Sequence, residues 1–274
     1  MNEDLAQYLM YYGTLVSFTR PAIVLLILAG LWFALKRTTL PRRDRMATWL
    51  AVAVPLVAWF ASIWSFALAG AFEAGRNPIP LIPLAVFFPL VIGLTALTRS
   101  NRIAAALDAV SPGWLVGIQV YRVLGGNFLV LWSFGAIPGE FALPAGSGDV
   151  LVGLLALPAA LVLTRSLRGP WVAVAWNCLG ILDLLTALTL GALTTPGPLH
   201  RLALDHPNLV TSTYPTVMTP TFAVPLSLIL HGLSLWQLRR RMSLTRGSQF
   251  ENDVEHDGGT AEGHALANSA RPVR

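Results

Sequence analysis

Seven stretches of this chain stay apolar for about the thickness of a bilayer, and that repetition leaves few folds open. A spanning helix needs about 20 apolar residues. The stretches cover 15–35, 48–72, 81–98, 114–135, 149–164, 171–193 and 214–238. In lipid every backbone N–H and C=O must find its partner within the protein, so such stretches form helices. The sequence therefore predicts an all-α integral membrane protein, a seven-transmembrane helix bundle. The fifth stretch is short, and Pro83 and Pro89 predict a kink in the third.

The loops alternate in charge. Lys36, Arg37, Arg42, Arg43 and Arg45 follow the first stretch, Arg99 and Arg102 the third, and Arg165 and Arg168 the fifth. Arg239, Arg240, Arg241 and Arg246 follow the seventh. The other side carries Glu3, Asp4, Glu73, Glu140 and Asp205, with only Arg76 and Arg201 against the thirteen basic residues opposite. The positive-inside rule then places the N-terminus outside and the C-terminus in the cytoplasm. An even number of spans would break this alternation.

Three regions follow. Residues 1–14 form an extracytoplasmic N-terminal segment, where Tyr8, Tyr11 and Tyr12 suit a short interfacial helix. Residues 15–238 form the transmembrane domain. Residues 239–274 form a basic stop-transfer segment and a polar tail without apolar period, which reads as disordered. Trp32, Trp49, Trp114, Trp171 and Trp236 fall near span ends and suit an aromatic belt. The N-terminus lacks the basic region of a cleavable signal peptide, so the first span is expected to remain as an anchor.

Composition narrows the function. Only 12% of residues are charged, against about 25% in soluble domains, so lipid bilayer is the expected solvent. The net charge of +5 lies in the short loops of one side, which argues for membrane orientation and against nucleic-acid binding. Arginine outnumbers lysine 18 to 1, the composition of a GC-rich bacterial genome, and the plasma (cytoplasmic) membrane is the expected location. The one cysteine, Cys178, sits in an apolar stretch as a packing residue and can make neither a disulfide framework nor a cysteine-based metal site. A retinal Schiff base needs a lysine inside the bundle, and Lys36 stands at a helix end. A bis-histidine haem needs two intramembrane histidines, and only His231 qualifies. His200 and His206 do not match zinc spacing. No cofactor and no metal are expected.

Arg122, Asn177, Asp183 and His231 lie deep inside spans, where lipid penalises charge and ionisable groups mark function or a firm partner. At 1.5 Å per residue, Arg122 and His231 lie about 12 Å from the basic edge and Asn177 about 9 Å, with Asp183 about 9 Å further out. Arg122 is expected to face protein with Asp183, Asn177 or His231 in reach. Two readings compete: a clamp between helices, and a polar pocket or proton path in which His231, with an unperturbed pKa of about 6.5, relays protons. Small residues on the fourth, fifth and sixth spans, including Gly125, Gly126, Gly153, Gly180 and Gly191, suggest close helix packing.

A second cluster is expected at the outer mouth. The connection 136–148 contains Pro138-Gly139, Pro144, Gly146 and Gly148, which are turn and breaker signals. It reads as an apolar loop lying back on the bundle or dipping into it. Glu140 and Asp149 then line the mouth, with Arg20, about 24 Å above Lys36, as their partner.

Four functions are open. One is a bundle that binds or senses a small amphiphile. A second is a proton-coupled transporter using Glu140, Asp149, Asp183, His231 and Arg122. A third is a membrane-embedded enzyme on a lipid-like substrate, with Asp183 as acid or base. A fourth is a structural or assembly subunit with a partner membrane protein. The structural and binding readings rank first, because the sequence offers neither paired catalytic carboxylates nor metal ligands.

Overall fold

A computed structural model describes residues 3–77, 79, 81–166 and 168–243 of the chain. Seven helices in it are long and apolar enough to cross a bilayer, and the chain is a multi-pass membrane protein. They run Glu3–Lys36, Arg42–Leu68, Leu81–Thr98, Gly113–Ser133, Gly139–Arg165, Gly169–Thr194 and Thr219–Ser243. Arg246 and the polar tail expected beyond Gly247 lie outside the described residues.

The seventh helix is the centre of the bundle. It is buried along 83% of its most apolar stretch, whereas the third is buried along only 6%. Positions 221–231 are buried on every face. Phe222 is fully enclosed, packed against Trp59 and Phe60 of the second helix. Because it is surrounded, the seventh helix can carry Thr219, Ser227, His231, Ser234 and Gln237 without facing lipid.

The first helix is one continuous rod. At 34 residues it is about 50 Å long, well beyond a hydrocarbon core of about 30 Å. The interfacial helix expected before the first span is its N-terminal end. Two of its tyrosines face protein instead of the membrane interface. The Tyr8 hydroxyl donates to Asn127 Oδ1 at 2.7 Å, and Tyr12 is buried with its hydroxyl 3.5 Å from Thr219 Oγ1. Tyr11 is exposed.

Backbone chemistry sets several ends. The second helix stops where Gly70 takes φ +67°, and the fourth where Gly135 takes φ +64°. At Gly135 the amide of Ala136 reaches back to Leu131 O at 2.9 Å, and that of Gly135 to Trp132 O at 2.8 Å. These paired bonds satisfy helix-end carbonyls, and a left-handed residue makes them possible. The third helix accommodates Pro83 in its first turn, where no intrahelical N–H is needed, and continues through Pro89.

The expected loop 136–148 is the main difference. Helix begins at Gly139, just after Pro138, and runs through Pro144, Gly146 and Gly148 to Arg165. Breaker signals are calibrated on chains in water, where a freed backbone group finds solvent. At membrane depth the same group has no such partner, and the helix persists. Cys178 also departs from expectation: its side chain is exposed at the bundle surface.

The basic end is knit by a short helix, Asn101–Asp108, whose first turn is capped by Ser100 Oγ accepting from Ile103 N at 3.3 Å. Arg240 pairs with Asp108 at 2.6 Å, and Arg102 with Asp44 at 3.0 Å. Arg241 donates to Val110 O at 2.6 Å, and Gln237 donates to Leu107 O and Val110 O. The arginines expected as a stop-transfer signal thus also tie the seventh helix to this short one.

Candidate functional site

Arg122 sits in the middle of the fourth helix, where the backbone is unusual. Ile118–Gly126 is a nine-residue 3-10 segment, and runs beyond three or four residues are uncommon because the hydrogen-bond geometry is poorer. Across from it, Thr219–Ala223 of the seventh helix forms a π turn. The two irregular segments line a common small cavity.

The Arg122 side chain is 3% exposed, and partners from three other helices surround it. From the fifth, Asp149 Oδ1 stands 2.8 Å from both Nε and Nη2. From the sixth, Asp183 Oδ2 accepts from Nη2, and Gly180 O accepts from Nη1 at 3.2 Å. From the seventh, His231 Nε2 lies 3.1 Å from Nη1. A guanidinium has five N–H donors and no acceptor, so His231 Nε2 must accept. The ring then carries its proton on Nδ1, which donates to Asn177 Oδ1 at 2.9 Å. Asn177 Nδ2 completes the chain by donating to Ala173 O at 2.7 Å and to Ser234 Oγ at 3.0 Å. Each polar group fixes the role of the next.

Glycines open the space for these side chains. A Cβ on Gly125 would fall on the Asp149 carboxylate, and one on Gly148 on Asp183. A Cβ on Gly180 would meet the His231 ring and lie 3.0 Å from Arg122 Nη1. Gly153 serves the helices themselves, since its Cβ would lie 2.6 Å from the Val123 backbone nitrogen. The glycines expected as packing residues therefore divide into those that seat polar groups and those that bring helices together.

Helical angles on the sixth helix separate Asn177 from Asp183 by about 120°. Arg122 resolves this by lying across Gly180, midway between them. One edge of the guanidinium reaches Asp183, and the other reaches Asn177 through His231.

The outer-mouth residues part company. Glu140 is exposed near the start of the fifth helix. Asp149 is buried on Arg122, not at a mouth. The reason is the earlier helix start: Asp149 lies ten residues past Gly139, about 15 Å along the helix axis. Arg20 is 3% exposed and donates from Nη2 to Thr219 Oγ1 at 3.0 Å. It lines the small cavity together with Asp149. Tyr121 and Thr219 also line it, and neither carries the charge that makes a residue stand out in an apolar span. Tyr121 sits next to Arg122, and its hydroxyl lies 2.7 Å from Ser227 Oγ. Among the described residues, no group of three or more His, Cys, Asp or Glu is arranged to hold a metal.

Residues 79–239 match the model of a family described as a domain of unknown function, DUF8737. That segment is more than half of the chain, so the chain belongs to this family. It covers the third to sixth helices and the seventh as far as Arg239, and contains the whole Arg122 cluster, while Arg20 lies outside it. No curated protein and no solved structure matches the chain.

Proposed function

We propose that this member of the DUF8737 family is a structural or assembly subunit of the cytoplasmic membrane, and that its polar cluster is a clamp closing the bundle. Its N-terminus lies outside and its C-terminus in the cytoplasm, as the thirteen-to-two asymmetry of loop charges indicates. One observation carries the clamp reading: the donors of Arg122 are taken up by groups on the fifth, sixth and seventh helices. The room beside the cluster supports the same conclusion. The cavity admits about one water, whereas small-molecule pockets are on the order of 300 Å³ or more. An assembly role implies a partner membrane protein.

Melting in detergent, paired with mass spectrometry of the purified protein, tests this. Asp183→Asn is expected to lower the melting temperature, with no small amphiphile bound in stoichiometric amount to the wild type. A stoichiometric amphiphile that disappears in Arg122→Met would move the cluster to a binding role.

A second reading, a proton-coupled path, is favoured by the 3-10 and π segments that face each other at the cavity. Such segments often mark hinges. Proton uptake by reconstituted vesicles that is lost in Asp149→Asn would put this reading first.

A further inference from the structure

We propose a second polar site, between Arg20 and Asp149, that binds one water-sized ligand able both to accept and to donate hydrogen bonds, and that the ligand is water. The site adjoins the Arg122 clamp and shares Asp149 with it.

Arg20 is a buried cation with much of its donor capacity unspent. Among the described residues no carboxylate lies within ion-pair distance of it. Among the described residues its one side-chain bond goes to the Thr219 hydroxyl, and its Nε is buried without a partner. Asp149 has the opposite surplus. Its Oδ1 serves Arg122, while its Oδ2 receives no donor from the described protein groups. Both residues line the same cavity, together with Tyr121, Thr219 and Ser227. An unpaired buried polar group is costly, and more so for a charge.

Chemistry selects the ligand. A halide would suit Arg20 and the hydroxyls but would face the Asp149 carboxylate. A metal cation would suit Asp149 but would face two guanidinium groups. Water accepts from Arg20 Nε and donates to Asp149 Oδ2, and a buried water needs two to four such partners. The space fits about one. Charge agrees: Arg20 and Arg122 balance Asp149 and Asp183, so a neutral ligand preserves neutrality. The bridge joins the first helix to the fifth, and so brings Arg20, which lies outside the family match, into the same network.

Infrared difference spectroscopy of the full-length protein in detergent, on exchange into heavy-oxygen water, reads the site directly. A buried-water O–H band that shifts on exchange is expected in the wild type and is expected to be absent in Arg20→Met. A wild type without such a band, or a band unchanged in Arg20→Met, overturns the proposal. If Arg20→Met does not fold, Arg20→Gln replaces it: a displaced band supports the site and an identical one overturns it. Melting supplies the second arm. The loss in the Arg20→Met, Asp149→Asn double variant should be smaller than the sum of the single losses, and additive losses overturn the bridge. Stabilisation by chloride over gluconate at constant ionic strength would assign the site to an anion and also overturns it. The infrared arm perturbs Arg20, whose side-chain bond goes to Thr219 and not to Arg122, so its failure is distinguishable from a failure of the clamp reading.

Discussion

At the residue scale, the cluster gains stability from completeness, not from charge as such. Removing one member of a buried ion network leaves its partners charged and unpaired, at a cost of about 3–5 kcal/mol. Arg122→Met should therefore lose about that much, read as a fall in melting temperature and in folded yield. Adding Asp149→Asn and Asp183→Asn to the same chain should recover part of the loss, because the stranded carboxylates are then gone. A triple variant no more stable than Arg122→Met would argue that these carboxylates are not what the missing arginine leaves exposed. Arg122, Asp183, Asn177 and His231 were legible in the sequence, since polar residues stand out in apolar spans. The role of Asp149 was not. Its depth depends on where its helix begins, and an error of ten residues displaces a side chain by about 15 Å.

At the element scale, hydropathy located all seven helices because a bilayer imposes a length. The ends were harder to read, because they depend on which environment the backbone meets. Pro144, Gly146 and Gly148 lie within helix, where the bilayer gives the chain no alternative partner. Gly135, by contrast, does end a helix, and its left-handed backbone is the reason. A Cβ there meets nothing within 4 Å, so Gly135→Ala isolates the backbone effect. It is expected to cost about 1–2 kcal/mol in detergent melting. An unchanged melting temperature would mean that this turn relaxes to another conformation. The 3-10 and π segments left no mark in the apolar pattern, which records the facing of side chains and not the pitch of the backbone.

At the scale of the whole molecule, sidedness rests on loop charge. Reporter fusions test it directly. Alkaline phosphatase fused after Arg76 is expected to be active and a fluorescent protein there dark, with the reverse after Ser243. The opposite pattern would invert the proposed orientation. Composition could not foretell which helix lies at the centre. The third stretch is the most apolar by mean hydropathy, 2.3, and yet lies at the periphery, while the seventh, at 1.3, is enclosed. Lipid-facing surface favours continuous apolarity, whereas an enclosed helix is free to use hydroxyls, amides and an imidazole.

The buried seventh helix has a consequence for how the protein is made. Of the seven spans it leaves the ribosome last, and it is the one around which the others are arranged. Until it inserts, Arg122 and Asn177 lack His231, and Arg20 lacks Thr219. The first six helices alone therefore leave these polar groups incompletely paired. A chain stopped after the sixth span is therefore expected to disappear faster than the full-length chain in a pulse-chase, since the arrival of the seventh helix is what completes the pairing.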